Sequence, residues 1–247
     1  MRYFVQFSYM GTAYHGWQKQ PNAITVQSVM EDAFSKLLGN AINLVGAGRT
    51  DAGVHAKTMF AHFDSDGIAE RSELTHRLNA FLPEGIAVEE IFEVSDTAHA
   101  RFHAVERGYE YWVTQQKNPF LTGLAHYVKM PLDVAAMNRA ASLLLEYDDF
   151  ECFSKSNTDV KTYRCDIRSA QWQVVGDRLV FSITADRFLR NMVRAIVGTL
   201  LDIGTGKKLP EALHAVIASK DRAMAGPSVP AKGLYLTRVL YPQELFK

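Results

Sequence analysis

No apolar run in this chain reaches the roughly 18 residues that a membrane-spanning helix needs, so no span is expected. Net charge is absent too, because 27 Lys and Arg balance 27 Asp and Glu. Global charge therefore gives no sign of a nucleic-acid partner, and it excludes none, since local segregation of charge would suffice. Cysteine is scarce. Cys152 and Cys165 stand far apart without a Cys-x-x-Cys spacing, which predicts reduced packing residues in a reducing compartment. The first residues, Met1-Arg2-Tyr3-Phe4-Val5-Gln6-Phe7, alternate like a strand and lack the apolar block of a signal peptide, so a cytoplasmic location is expected. What is present is ordinary for a folded chain: 247 residues, 47% apolar, enough for one large domain or two of usual size.

Read in order, residues 2–9 form an aromatic-rich strand, followed by a long loop from Met10 to Ile24. A loop of that length inside a compact domain tends to be functional. Its cluster Tyr14-His15-Gly16-Trp17-Gln18-Lys19-Gln20 has two readings: aromatics and amides that recognise a base, or a tryptophan that plugs the domain end. Thr25 then caps a helix whose stripe runs Val26, Val29, Met30, Ala33, Phe34, Leu37, Leu38, and Gly39 stops it. Strands over 42–46 and 57–64 flank a glycine loop, Ser72 caps a second helix that ends at Pro83-Glu84-Gly85, and a strand covers 86–94. The order β-α-β-β-α-β is ferredoxin-like. The second half repeats it with an extra helix. Strands are expected at 107–115, 163–175, 178–185 and 234–241, with a hairpin at Gly176-Asp177. Helices follow Asp133, cover 188–203, and follow Pro210. The expected fold class is α+β, with two ferredoxin-like halves of antiparallel sheet and helix at 1–104 and 105–247. Two such sheets paired edge to edge would leave a broad cleft.

The chemistry concentrates in Gly46-Ala47-Gly48-Arg49-Thr50-Asp51-Ala52-Gly53-Val54-His55-Ala56. Three glycines bracket an arginine and a carboxylate, more than a strand connection needs. Either they hold Asp51 and Arg49 in a fixed pose, or Asp-Ala-Gly is an ordinary turn whose carboxylate caps its own backbone. Arg187, Arg190 and Arg194 fall at i, i+3 and i+7 near the start of the 188–203 helix, where the macrodipole disfavours cations. A phosphate or carboxylate nearby would explain them, and so would a solvated face. Other chemistries fit less well. Gly-x-Gly-x-x-Gly fails because position 51 is aspartate. His99 and His103 have the spacing of a helical metal pair, but no glutamate or further ligand accompanies them, so no metal is expected. Ser154 and Ser156 lack the glycines of a nucleophile elbow.

Taken together, these blocks resemble the bacterial tRNA pseudouridine synthase A family over nearly the whole chain. The matching pieces are Gly46 to His55, Tyr14-His15-Gly16-Trp17-Gln18, Ala100-Arg101-Phe102-His103-Ala104 leading to Arg107-Gly108-Tyr109-Glu110-Tyr111, Phe188 to Gly198, and Gly233-Leu234-Tyr235-Leu236 to Tyr241-Pro242. The resemblance implies a cofactor-free, metal-free isomerase that detaches uridine at N1, rotates the base and rejoins it through C5. The substrate would be the anticodon stem-loop of tRNA, at positions thirty-eight to forty, bound in a basic cleft between the two halves of a homodimeric enzyme. It maps the catalytic aspartate to Asp51, the active-site tyrosine to Tyr109, the arginine that pairs with the aspartate to Arg194, and the base-extruding arginine to Arg49. Trp17, Gln18, Arg107, Arg190 and Leu234 fall in the blocks assigned to substrate binding. Two residues depart from the family pattern: Gly108 stands where a basic residue is frequent, and Arg190 where histidine is common. The residue types suit the reaction. A carboxylate of ordinary pKa about 3.9 is ionised at neutral pH, and a guanidinium offsets the desolvation that a bound substrate imposes. A stacked uridine must be flipped out to be reached, and a tyrosine offers a flat face and a phenol that moves protons.

Overall fold

The computed structural model describes residues 1–155 and 160–247, so Ser156 lies outside the described residues. Helices and a mostly antiparallel set of strands give the expected α+β class. The chain divides into two compact units, Met1–Val105 with Tyr235–Lys247, and Glu106–Leu234.

The first unit runs β1 (Arg2–Tyr9), α1 (Val26–Leu38), β2 (Val45–Gly46), β3 (His55–Asp64), α2 (Arg71–Phe81) and β4 (Ile86–Val94). β1 lies between β3 and β4, antiparallel to both, with Val5 opposite Ala61 on one side and Ile91 on the other. Alternation puts Tyr3, Val5, Phe7 and Tyr9 on one face of β1, all buried. α1 covers that face, with Phe34 against Phe63 (5.0 Å) and Phe63 stacked on Tyr3 (5.5 Å). Phe4 points to the other face, where Phe60, Tyr241 and Phe246 surround it. α1 begins and ends as its sequence predicts. Thr25 and Ser28 form a reciprocal capping box, and Gly39 closes the helix at φ 76°. α2 starts earlier than expected. The Glu70 carbonyl already accepts from Leu74 N (3.1 Å), so Ser72 lies inside the helix and caps nothing. The strand expected over 42–46 pairs only through Val45 and Gly46.

The second unit contains β5 (Glu106–Thr114), β6 (His126–Tyr127), α3 (Val134–Leu143), β7 (Ile167–Val175), β8 (Arg178–Ala185), α4 (Met192–Gly204) and α5 (Ala212–Ser219). β8 is antiparallel to β5 and β7, with Phe181 opposite Tyr111 on one side and Trp172 on the other. Gly176 turns the β7–β8 hairpin at φ 61°. Asp133 caps α3 by accepting from Ala136 N. α4 is buried almost all round, as a helix apolar on every side must be. It begins at Met192, four residues later than the periodicity predicts, because Asn191 takes the left-handed conformation (φ 68°) that asparagine tolerates best after glycine. Arg187 and Arg190 therefore precede the helix, and the three arginines do not form one helical stripe. The strand expected at 234–241 is β9 (Leu234–Leu240), and it runs parallel to β3, with Tyr235 opposite His55 and Leu236 opposite Ala56. The Tyr235 ring stacks on the His55 imidazole at 4.6 Å.

Cys152 and Cys165 are free and buried, and burial pushes both thiols up to about 12. No helix among the described residues is long and apolar enough to cross a membrane.

One device recurs in both units. The Asn79 amide on α2 donates to Val88 O and accepts from Val88 N, each at 2.8 Å. Asn138 on α3 does the same to Trp172, at 3.0 and 2.7 Å. Each amide satisfies both backbone groups of one residue on an outer strand and fixes the helix to it. Asn79→Ala and Asn138→Ala are each expected to lower unfolding free energy by about 1–3 kcal/mol, since two backbone groups lose their partner. Urea denaturation measures this, and midpoints equal to wild type would refute the device.

Candidate active site

Asp51 sits in the connection between β2 and β3, partly buried, with Arg49 exposed beside it. Val54 N donates to Asp51 O (3.2 Å), closing a turn in which Gly53 has φ 79°. The segment from Tyr9 to Trp17 holds this turn from outside. Trp17 N donates to Thr50 O and Gly53 N to Tyr14 O, both at 3.3 Å. The Tyr9 hydroxyl shares a 2.9 Å hydrogen bond with Thr50 Oγ1, and Gly11 N donates to His55 Nδ1 at 3.1 Å.

The approach is so close that side chains are excluded. A Cβ on Gly11 would lie 1.9 Å from Val54 O, and one on Gly16 (φ 84°) would lie 2.3 Å from Thr50 O. Within the Asp51 loop itself, Gly53 is required by its conformation. Gly46 is required by the Trp17 indole, whose Nε1 would be 2.6 Å from an added Cβ. At Gly48 an added Cβ meets nothing within 4 Å. Two of the four glycines that the turn requires thus belong to the other loop, where the sequence shows them only as Gly11 and Gly16 beside an aromatic cluster. Trp17 is 3% exposed and its ring packs on Phe7 at 5.3 Å, so it closes the unit's end and is not open to a base. Gln18, next to it, is exposed.

The remaining site residues named from the sequence lie on the second unit. Tyr109 and Tyr111 share a face of β5 and differ in surroundings. Tyr111 is fully buried, donates to Pro230 O at 2.8 Å, and has its phenol pKa raised by burial. Tyr109 is partly exposed, with its ring edge-on to Phe188 at 5.1 Å. Arg107 donates to Asp186 O at 2.8 Å. Arg190 is exposed and Leu234 is buried.

Arg194 occupies the first turn of α4, where its Nε donates to Val229 O (2.7 Å) while Val229 N donates to Arg194 O (3.2 Å). The segment carrying Val229 is itself fastened down. Ser228 Oγ accepts from Asn191 Nδ2 (2.6 Å) and Arg222 Nη2 (2.9 Å), and Gly226 N donates to Thr199 Oγ1 (2.8 Å). A Cβ on Gly198 would lie 1.8 Å from Pro227 O. Asn191, Arg222 and Ser228 position Arg194, and sequence reading had no signal for them beyond their nearness to it.

The Ala100–Ala104 block belongs to a turn fixed mainly by side chains. Arg2 Nη1 donates to Ala98 O (3.0 Å) and the Tyr241 hydroxyl to Ala100 O (2.6 Å). His62 Nδ1 accepts from Ala100 N (3.2 Å), His103 Nδ1 from His99 N (3.1 Å), and His99 Nδ1 from Arg101 N and Phe102 N (3.1 and 3.4 Å). His99 and His103 thus brace a turn. Among the described residues no group of three or more His, Cys, Asp or Glu is placed to hold a metal ion. Burial, with His99 and Arg2 close by, lowers the His62 pKa to about 4 against the opposing pull of Asp64. Burial and the positive charge of Arg2 lower that of His99.

Two predictions follow from these contacts. Gly11→Ala should destabilise by about 3 kcal/mol or more, because the obstructing atoms are backbone, whereas Gly48→Ala should stay within about 0.5 kcal/mol of wild type. Equal urea midpoints for the two variants would refute this account of the loop. For His62 the sign is set by a folded pKa below the ordinary 6.5. Its contribution is complete above that ordinary value and fades as pH falls towards about 4, since the unfolded chain takes up the proton first. The urea midpoint should fall from pH 7 to pH 5, and less steeply in His62→Asn, whose Oδ1 accepts from Ala100 N without titrating. An unchanged pH slope in that variant would exclude His62 as its source.

Residues 6–103 and 140–242 match the family described as tRNA pseudouridine synthase. A protein named tRNA pseudouridine synthase A from Porphyromonas gingivalis is 51% identical over 249 residues, covering 99% of both chains. One of the same name from Thiobacillus denitrificans is 42% identical, covering 98% of this chain and 94% of its own. Another from Thermoanaerobacter pseudethanolicus is 38% identical, covering 94% and 96%. Similarity of this extent, running through the clamped Asp51 turn, the Tyr109 strand and the Arg194 helix, makes the chain a member of the tRNA pseudouridine synthase A family.

Proposed function

We propose that this isomerase converts uridine to pseudouridine in the anticodon stem-loop of tRNA, at positions thirty-eight to forty, with Asp51 as nucleophile. The observation that carries the reading is the clamp on the Asp51 turn. A carboxylate that must meet one atom of a flipped nucleotide needs a backbone that does not yield, and Gly11 and Gly16 allow that rigidity through direct backbone contact. In the reaction the N1–C1′ bond breaks, the base turns, C5–C1′ forms, the C5 proton leaves and N1 gains one. Atoms balance within the substrate and water, so the reading requires no cofactor or metal.

Each residue has a role in this reading. Arg49, exposed next to Asp51, fills the space left by the extruded base and holds its phosphate. Tyr109, steadied edge-on by Phe188, offers uracil a flat face and a phenol for the proton from C5. Arg194, fixed through Nε, supplies the positive charge that keeps a carboxylate ionised once substrate excludes water. Gln18, Arg107 and Arg190 are assigned to tRNA contacts. Trp17 and Leu234, both buried, support the reading as packing residues behind those contacts. From the family resemblance, the same reading has the enzyme act as a cytoplasmic homodimer.

Asp51→Asn keeps size and removes charge. Tritium release from C5-labelled uridine in tRNA should fall on the order of 10³-fold or more, while tRNA affinity stays within a few-fold of wild type. Turnover by that variant at the wild-type rate would overturn the assignment.

A further inference from the structure

The turn from Ala98 to His103 presents an exposed phenylalanine at its apex. Phe102 is 72% exposed, yet side chains from three other parts of the unit, Arg2, His62 and Tyr241, fix the backbone around it, and His99 and His103 cap it from within. A surface loop with no task needs no such bracing. The rings also touch in series. His62, 5% exposed, lies 4.5 Å from His99 at 57°, and His99 lies 4.3 Å from Phe102 at 35°, so a chain of tilted ring contacts starts in the interior and ends on the Phe102 ring. The Arg101 guanidinium stands 5.6 Å from the centre of that ring.

A solvent-facing aromatic on a braced turn, backed by a chain of ring contacts and with an arginine at its ring, is suited to stacking on a nucleobase. It is poorly suited to an apolar protein partner or a membrane. Such surfaces require a contiguous apolar patch, whereas the alanines of the turn (Ala98, Ala100, Ala104) are buried and the neighbours of Phe102 that reach solvent within it are His99, Arg101 and His103. We infer that Phe102, with Arg101 beside it, stacks on an unpaired base of the tRNA and so helps to position the substrate. This rests on the tRNA reading above and adds a contact that the Asp51 chemistry does not use. Phe102 touches no reacting atom and is a positioning residue.

The experiment compares full-length wild type with Phe102→Ala, Phe102→Leu and Phe102→Trp. It measures tRNA affinity by fluorescence anisotropy separately from steady-state tritium release. Loss of one base–aromatic stack weakens binding by about 5- to 140-fold. Phe102→Ala and Phe102→Leu should weaken tRNA affinity and raise KM by an amount in that range while kcat at saturating tRNA stays within twofold. Phe102→Trp should restore affinity to within about twofold, because any aromatic face serves. Wild-type affinity in Phe102→Ala, or in Phe102→Leu where bulk without a π face suffices, would overturn the inference. So would a change in sedimentation mass with tRNA affinity intact, which would mark the ring as a protein contact. If wild type binds tRNA but releases no tritium, the catalytic reading fails, and the affinities still decide for or against Phe102. If wild type binds no tRNA, both fall.

Discussion

Backbone meets backbone at Gly11 and Gly16, and the placement of Asp51 depends on that contact. A short connection between two strands has few side chains with which to fix its own backbone. Here the missing support comes from a second loop laid directly against it, at distances where even a methyl group would collide with a carbonyl. The Trp17 indole seals the arrangement from below, and His55 ties it to β3 and, by ring stacking, to Tyr235. Tolerance to substitution at each glycine depends on what faces it, so the glycine-rich appearance of 46–53 overstates Gly48 and understates Gly11 and Gly16.

The second unit solves the same problem in the same way. Arg194 is long and flexible, and its position is set by the segment that accepts its Nε proton. That segment lies on α4 where Gly198 and Gly226 let main chains touch, and Ser228 anchors it by accepting from Asn191 and Arg222. Asn191 links two consequences of one backbone angle. Its left-handed conformation delays the start of α4, and its side chain fastens the Arg194 support. Strain at this residue is offset by the bond it makes.

Histidines serve structure here more than proton transfer. His55, His62, His99 and His103 each accept a backbone N–H at Nδ1, a duty that only an unprotonated nitrogen can perform. The asparagines of α2 and α3 do comparable work on outer strands. Polar side chains thus satisfy backbone groups where helices and ladders end, and the two units share that habit without shared sequence at those places.

Much of the local structure was legible from residues alone. Thr25, Gly39 and Asp133 marked helix ends, and the strands read at 86–94 and 178–185 coincide with β4 and β8, because caps and turns involve neighbours along the chain. The family was legible too, since the blocks around Asp51, Tyr109 and Arg194 are among those that carry the resemblance, and the similarity to tRNA pseudouridine synthase A proteins bears it out. Tertiary structure alone decided that β9 pairs with β3, that α4 starts at Met192, that Trp17 is a plug, and that Gly11 and Gly16 matter more than Gly48. The reason is common to all four. Each depends on which atoms, distant in sequence, come within a few ångströms of a residue, and periodicity and capping carry no record of that.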